Sequence, residues 1–132
     1  MGSHIEMTKQ ACEAFKRGDI AGLLKERIDD NCVWKSPGPT DKLPWAGVYK
    51  GKQEIGKFFM AVAQNTEFSE FSPLEMIEQG DTVVVLGRLA GRSVKTGKPV
   101  ENEWAHVFKY KGDKVVSWQE YLDTAADVVS MT

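Results

Sequence analysis

From Thr66 to Asp123 the chain offers strand-type sequence broken only by short turns, and that run limits what the rest can be. Val83-Val84-Val85-Leu86 opens a long strand reaching about Val94, and Lys95-Thr96-Gly97-Lys98 reads as the turn after it. Pro99 to Lys111 is the next strand, closed by Gly112-Asp113, and Lys114 to Asp123 is the last. Strands joined by connections this short form an antiparallel meander, and a meander with one apolar face needs a cover.

The first half of the chain supplies helices for it. Met7, Ala11, Ala14 and Phe15 recur at helical spacing, and Gly18 after Lys16-Arg17 is a stop signal. Asp19 is a natural N-cap for a second short helix carrying Ile20, Leu23, Leu24 and Ile28 on one side. This hairpin ends at Asp29-Asp30-Asn31, and Cys32-Val33-Trp34-Lys35 follows as a short β-prone run. Residues 36–51 hold three prolines and three glycines around Trp45 and Tyr49, so they read as a loop, either a lid or a plain solvated connection. Ile55, Phe58, Phe59 and Val62 then give a third helix from about Lys52 to Asn65. The expected fold class is α+β: three N-terminal helices packed on one curved antiparallel sheet.

A chain of 132 residues is one domain in length. Met1-Gly2-Ser3-His4 has the look of an expression remnant, so residues 1–6 are set aside and residues 7–132 are read as the single domain. His106 is then the one histidine of weight. Lysines and arginines number 17 against 19 acids, with no stretch that collects positive charge, so no nucleic-acid partner is expected. No apolar run approaches 18 residues, which argues against a membrane-spanning helix. Cys12 and Cys32 make no disulfide framework and stand at no metal-ligand spacing. A phosphate loop, a nucleophile elbow and a metal-spaced histidine pair are all missing from the sequence. The expectation is a cytoplasmic protein without metal or organic cofactor.

Alternation along the strands sorts their side chains. One face of the strand from Val100 carries Asn102, Trp104, His106, Phe108 and Tyr110, an aromatic row with two polar groups in it. In the last strand Val116, Trp118, Glu120 and Leu122 share a face; in the earlier one Val84, Leu86, Arg88 and Ala90 do. Each of the three faces thus sets one ionisable group among apolar neighbours: Arg88, His106 and Glu120. Such groups are costly unless paired, and catalytic sites use that cost to shift pKa values. The turn at Gly112-Asp113 sets Tyr110 opposite Val115 or Val116, which brings His106 near Glu120. The plainer alternatives are a satisfied structural cluster, or an Arg88 that points to solvent. Phe15, Trp34, Ser36, Trp45, Phe58, Phe59, Trp104, Phe108 and Trp118 are the candidate lining of a pocket for a small apolar molecule. Val83, Val85 and Leu89 are the expected dimer patch, unless the tail from Thr124 to Thr132 covers them.

Five stretches together resemble the NTF2-like superfamily, in particular its SnoaL-like and ketosteroid-isomerase-related members. They are Phe15-Lys16-Arg17-Gly18-Asp19, Val33-Trp34-Lys35-Ser36-Pro37-Gly38, Trp45-Ala46-Gly47-Val48-Tyr49-Lys50-Gly51, Trp104-Ala105-His106-Val107-Phe108, and the run from Gly112 to Asp123. The resemblance implies a cone-like α+β barrel around an apolar pocket, commonly in a homodimer. Ketosteroid isomerases place a basic Asp where this chain has Ser36, a phenol near Ala11 and a second donor where it has His106. Limonene epoxide hydrolases use an Asp-Arg-Asp group; Arg88 and Glu120 match two members, and the third falls at Leu89 or Ala90. The implied function is general acid–base chemistry on an apolar, oxygen-bearing substrate, of isomerase, cyclase or epoxide-hydrolase type, by His106, Glu120 and Arg88. The alternative is a non-catalytic module that binds a hydrophobic ligand or dimerises.

Overall fold

The computed structural model describes residues 4–132; residues 1–3, part of the stretch set aside as an expression remnant, lie outside the described residues. Helix α1 (His4–Lys16) buries Ala11, Cys12 and Ala14 and ends at Gly18, whose φ of 78° is a left-handed conformation suited to glycine. Asp19 caps α2 (Ile20–Arg27) as its side chain accepts the Gly22 amide at 2.9 Å. Strand β1 (Ile28–Ser36) follows directly, and after the loop β2 (Gly47–Lys50) returns antiparallel to it, pairing Ser36 with Gly47 and Val33 with Lys50. Helix α3 (Gly51–Asn65) turns Ile55, Phe58 and Phe59 inward, the i, i+3, i+4 stripe expected of it.

The long strands β3 (Thr66–Gln79), β4 (Thr82–Ser93), β5 (Pro99–Lys111) and β6 (Lys114–Leu122) form the meander, and helix α4 (Thr124–Met131) ends the chain. The six strands make one curved, unclosed sheet in the order β2-β1-β6-β5-β4-β3. Its inner face meets α1, α2 and α3 in a core that includes Leu23, Ile28, Ile55, Val83, Val85 and Val115. A second, smaller cluster joins Leu43 and Ala46 of the loop to Met131 of α4, so loop and last helix hold each other at one end of the sheet.

Several features differ from the expectations. Residues 28–31, expected to close the helical hairpin, open β1 instead. The loop contains β2, whose four residues lie between Pro- and Gly-rich flanks too short to show a period. The pairing of β1 with β6 is parallel, made possible because the whole intervening chain serves as the crossover. The tail from Thr124 is a helix, capped by Asp123, which accepts the Ala125 amide at 3.0 Å. The inner face of β4 carries Val83, Val85 and Leu89, all buried in the core, so they are no dimer patch; Val84, Leu86, Arg88 and Ala90 face outward. Between β5 and β6 a bulge sets Tyr110 opposite Val115, and Val115 rather than Val116 takes the fully buried place.

Candidate functional site

The register of β5 against β6 places His106 directly opposite Glu120, on the face that packs against the helices. His106 Nε2 lies 2.9 Å from Glu120 Oε2, with both side chains largely buried. The other carboxylate oxygen, Oε1, accepts a hydrogen bond from Ser36 Oγ at 3.2 Å, delivered across the parallel junction from the end of β1. Glu120 is thus held at both oxygens. When its carboxylate accepts the Nε2 proton, the neutral imidazole keeps its lone pair on Nδ1, which has no hydrogen-bond partner among the described residues.

Rings fix the imidazole from two sides. Trp104 stacks on His106 with centroids 4.0 Å apart, backed by Phe71 at 4.9 Å, and Trp118 meets it edge-on at 4.7 Å. Trp118 in turn stacks on Trp34 at 4.2 Å, its register partner on β1. A cavity of about 110 Å³ adjoins this group, bordered by His106 and Glu120 and by Phe15, Trp34, Trp45, Phe58, Phe59, Phe108 and Trp118. Ser36 and Trp104 do not border it; they act on Glu120 and His106 from behind. The indole nitrogens of Trp34 and Trp104 are buried with no hydrogen-bond partner among the described residues, each a donor left over by the fold.

Arg88 does not belong to this group. Val85 is the β4 residue opposite His106, and Arg88, opposite Glu103, projects from the outer face. There it bridges Glu70 at 3.1 Å and Glu101 at 3.3 Å. Hydrogen bonds from Ser72 and Arg88 hold the Glu70 carboxyl below its ordinary range. The expectation fails on parity: both faces of β4 carry apolar residues, and the face of Val83, Val85 and Leu89 is the inner one. Gly87 marks the true inner face, since a Cβ there would lie 2.4 Å from the Trp104 ring.

The sequence reading also missed Asp127. It projects from α4 to the cavity wall, is only 7% exposed, and its carboxyl has one hydrogen bond among the described residues, accepted from Asn102 Nδ2 at 3.5 Å. Burial, reinforced by the Glu120 charge, pushes its pKa up to about 6. The available signal was Asp123 as an N-cap, followed by Val128 and Met131 at helical spacing from Thr124. Burial pushes the Cys12 and Cys32 thiols up to about 12, which makes neither a nucleophile at neutral pH. Among the described residues no three His, Cys, Asp or Glu side chains stand together as metal ligands, and no helix is long and apolar enough to cross a membrane.

Residues 8–118 match the family model of the SnoaL-like domain. An NTF2-like protein from Burkholderia pseudomallei superimposes with a TM-score of 0.90 at 26% identity, covering 100% of this chain and 99% of its own. A second, from Burkholderia xenovorans, gives 0.87 at 29% identity, with 97% and 95% of the two chains covered. TerC, co-crystallized with polyporic acid, gives 0.84 at 25% identity over 96% of each chain. No curated protein sequence matches. With a family model covering most of its length and NTF2-like structures along all of it, the chain belongs to the SnoaL-like domain family.

Proposed function

We propose that this SnoaL-like chain is an enzyme that applies general acid–base chemistry to a small, apolar, oxygen-bearing molecule, of the isomerase, cyclase or epoxide-hydrolase type. The observation that carries this reading is the 2.9 Å contact between His106 Nε2 and Glu120 Oε2 at the wall of an aromatic cavity. Glu120 fixes the imidazole tautomer, and His106 Nδ1 takes a proton from a carbon next to a carbonyl, or from a water. The imidazolium so formed sits against a carboxylate that stabilises it. Arg88 has no part in this version, since its guanidinium is on the far side of the sheet. The TerC crystals with polyporic acid support an organic ligand for a relative of this fold.

One observation favours a non-catalytic, ligand-binding reading instead. The cavity, about 110 Å³, is below the ~300 Å³ at which ligand sites usually begin, and nearer the size that admits a single benzene ring. A thermal-shift screen separates the two, using single-ring ketones, terpene epoxides, polycyclic ketones, steroids and polyporic acid. A ligand of the folded state raises Tm by mass action. The enzyme reading expects a hit that the protein converts, with conversion lost in His106→Ala and Glu120→Gln. Binding without conversion gives the cavity to the second reading, and full conversion by both variants removes the dyad from the chemistry.

A further inference from the structure

Asp127 is a buried acid without the partner that buried acids need. The groups that face it are Glu120 from β6, Asp123 from the start of its own helix and Asn102 from β5. His106, also on β5, is engaged with Glu120. No lysine or arginine figures among its charge neighbours, and Asn102 spends its shorter hydrogen bond, 2.9 Å, on the Asp123 carbonyl. A carboxylate so placed would be desolvated, faced by two like charges and held by one 3.5 Å hydrogen bond. The neutral acid suits the site far better, because its O–H needs only an acceptor, and the cavity it borders is where one would come from.

We propose that Asp127 is a further catalytic residue that, in its protonated form, binds and protonates the carbonyl oxygen of an uncharged single-ring ketone or aldehyde while His106 removes a proton from the adjacent carbon. The assignment rests on the acid–base reading of His106 and adds to it the opposite partner and the substrate's charge class. In the forward step the C–H bond breaks and its proton goes to His106 Nδ1. The electron pair forms the C=C bond, the carbonyl π pair moves to oxygen, and the Asp127 proton forms the enol O–H. The step yields enol, imidazolium and Asp127 carboxylate; reversal at the same or another carbon restores both groups. Two acids at one end of the cavity disfavour a carboxylate substrate, and a volume of about 110 Å³ limits the reacting part to one ring.

Two measurements on the full chain test this. Carbon-13 spectra of the carboxyls are followed from about pH 3 to about pH 8, with the Asp127 signal identified by its loss in Asp127→Asn. The expected midpoint is about 6, moving toward the ordinary aspartate range in Glu120→Gln. An ordinary midpoint near ~4 in the wild type overturns the proposal. The second uses carbonyl-labelled acetophenone as the probe and reads its infrared C=O band below the Asp127 midpoint. A band lowered in the wild type, less so in Asp127→Asn and not at all in Asp127→Leu, supports the donor; an unshifted band, or no binding, overturns it. Exchange of the methyl protons into D₂O reports His106 separately. A lowered band without exchange keeps Asp127 as the donor and removes the base, whereas exchange with an unshifted band does the reverse.

Discussion

Replacing Asp127 by Asn should stabilise the protein, and only above a definite pH. The folded-state pKa, about 6, lies above the ordinary 3.8, so folding favours the protonated form. Below the unfolded value both states are neutral and the group makes no difference. Between the two values the folded protein holds more protons, so stability falls as pH rises; above the folded value the full cost of the buried carboxylate is present. A rise from 3.8 to about 6 corresponds to about 3 kcal/mol at neutral pH. The amide remains a buried polar group with one weak hydrogen bond, so a net gain of about 1–3 kcal/mol is expected, or roughly 4–10 °C in Tm for a chain of this size. Thermal and urea unfolding of both proteins at about pH 4 and about pH 7.5 give the double difference, which cancels every other titrating group. The variant should match the wild type in acid and exceed it at neutral pH. An offset of the same size at both pH values would refute the reasoning, because it would come from packing and not from ionisation.

Three other perturbations address different parts of the structure. Gly87→Ala puts a Cβ 2.4 Å from the Trp104 ring and 2.6 Å from the Ser72 carbonyl, so about 1–3 kcal/mol should be lost in urea titration, with the tryptophan fluorescence altered as Trp104 leaves its stack. A stability within error of wild type would show that the site has slack the structure does not. Ser36→Ala removes the hydrogen bond to Glu120 Oε1 and should cost about 1 kcal/mol at neutral pH, read from the urea midpoint; no loss would mean that the 3.2 Å contact holds nothing. Leu86, Ala105 and Tyr121 stand side by side on the outer face of the sheet, with Leu86 and Tyr121 exposed. We propose this face for the homodimer: light scattering should give about twice 14.7 kDa, falling to one chain in Leu86→Lys with Tyr121→Glu, and a wild-type monomer would end the proposal.

The parts of the site that sequence exposed are those fixed by local rules. Alternation put Trp104, His106 and Phe108 on one face, and a turn at Gly112-Asp113 left few registers for β6, so His106 had to fall near Glu120. Alternation gave no such guidance on β4, where Val84 and Leu86 are as apolar as Val83 and Val85; the choice between faces is made by what packs there, and Trp104 decides it by filling the space over Gly87. For Asp127 the sequence carries only the Asp123 cap, which marks a helix without saying what that helix packs on. A helix of eight residues after the last strand owes its formation to docking on Leu43 and the sheet, a tertiary contact no window of sequence contains. The parallel pairing of β1 with β6 was hidden in the same way, since it joins segments more than 80 residues apart and no turn announces it.

That pairing also sets an order of assembly. Strands β3 to β6 can zip up one after another, each against the strand just made, but β1 has no neighbour in the sheet except β2 and the last strand. On the ribosome, the segment carrying Trp34 and Ser36 therefore has only β2 to pair with until β6 has emerged. Closing that junction stacks Trp34 on Trp118 and joins Ser36 to Glu120 in a single late event. A nascent chain stopped short of Lys114 would hold His106 stacked on Trp104 but without its carboxylate and without the edge of Trp118.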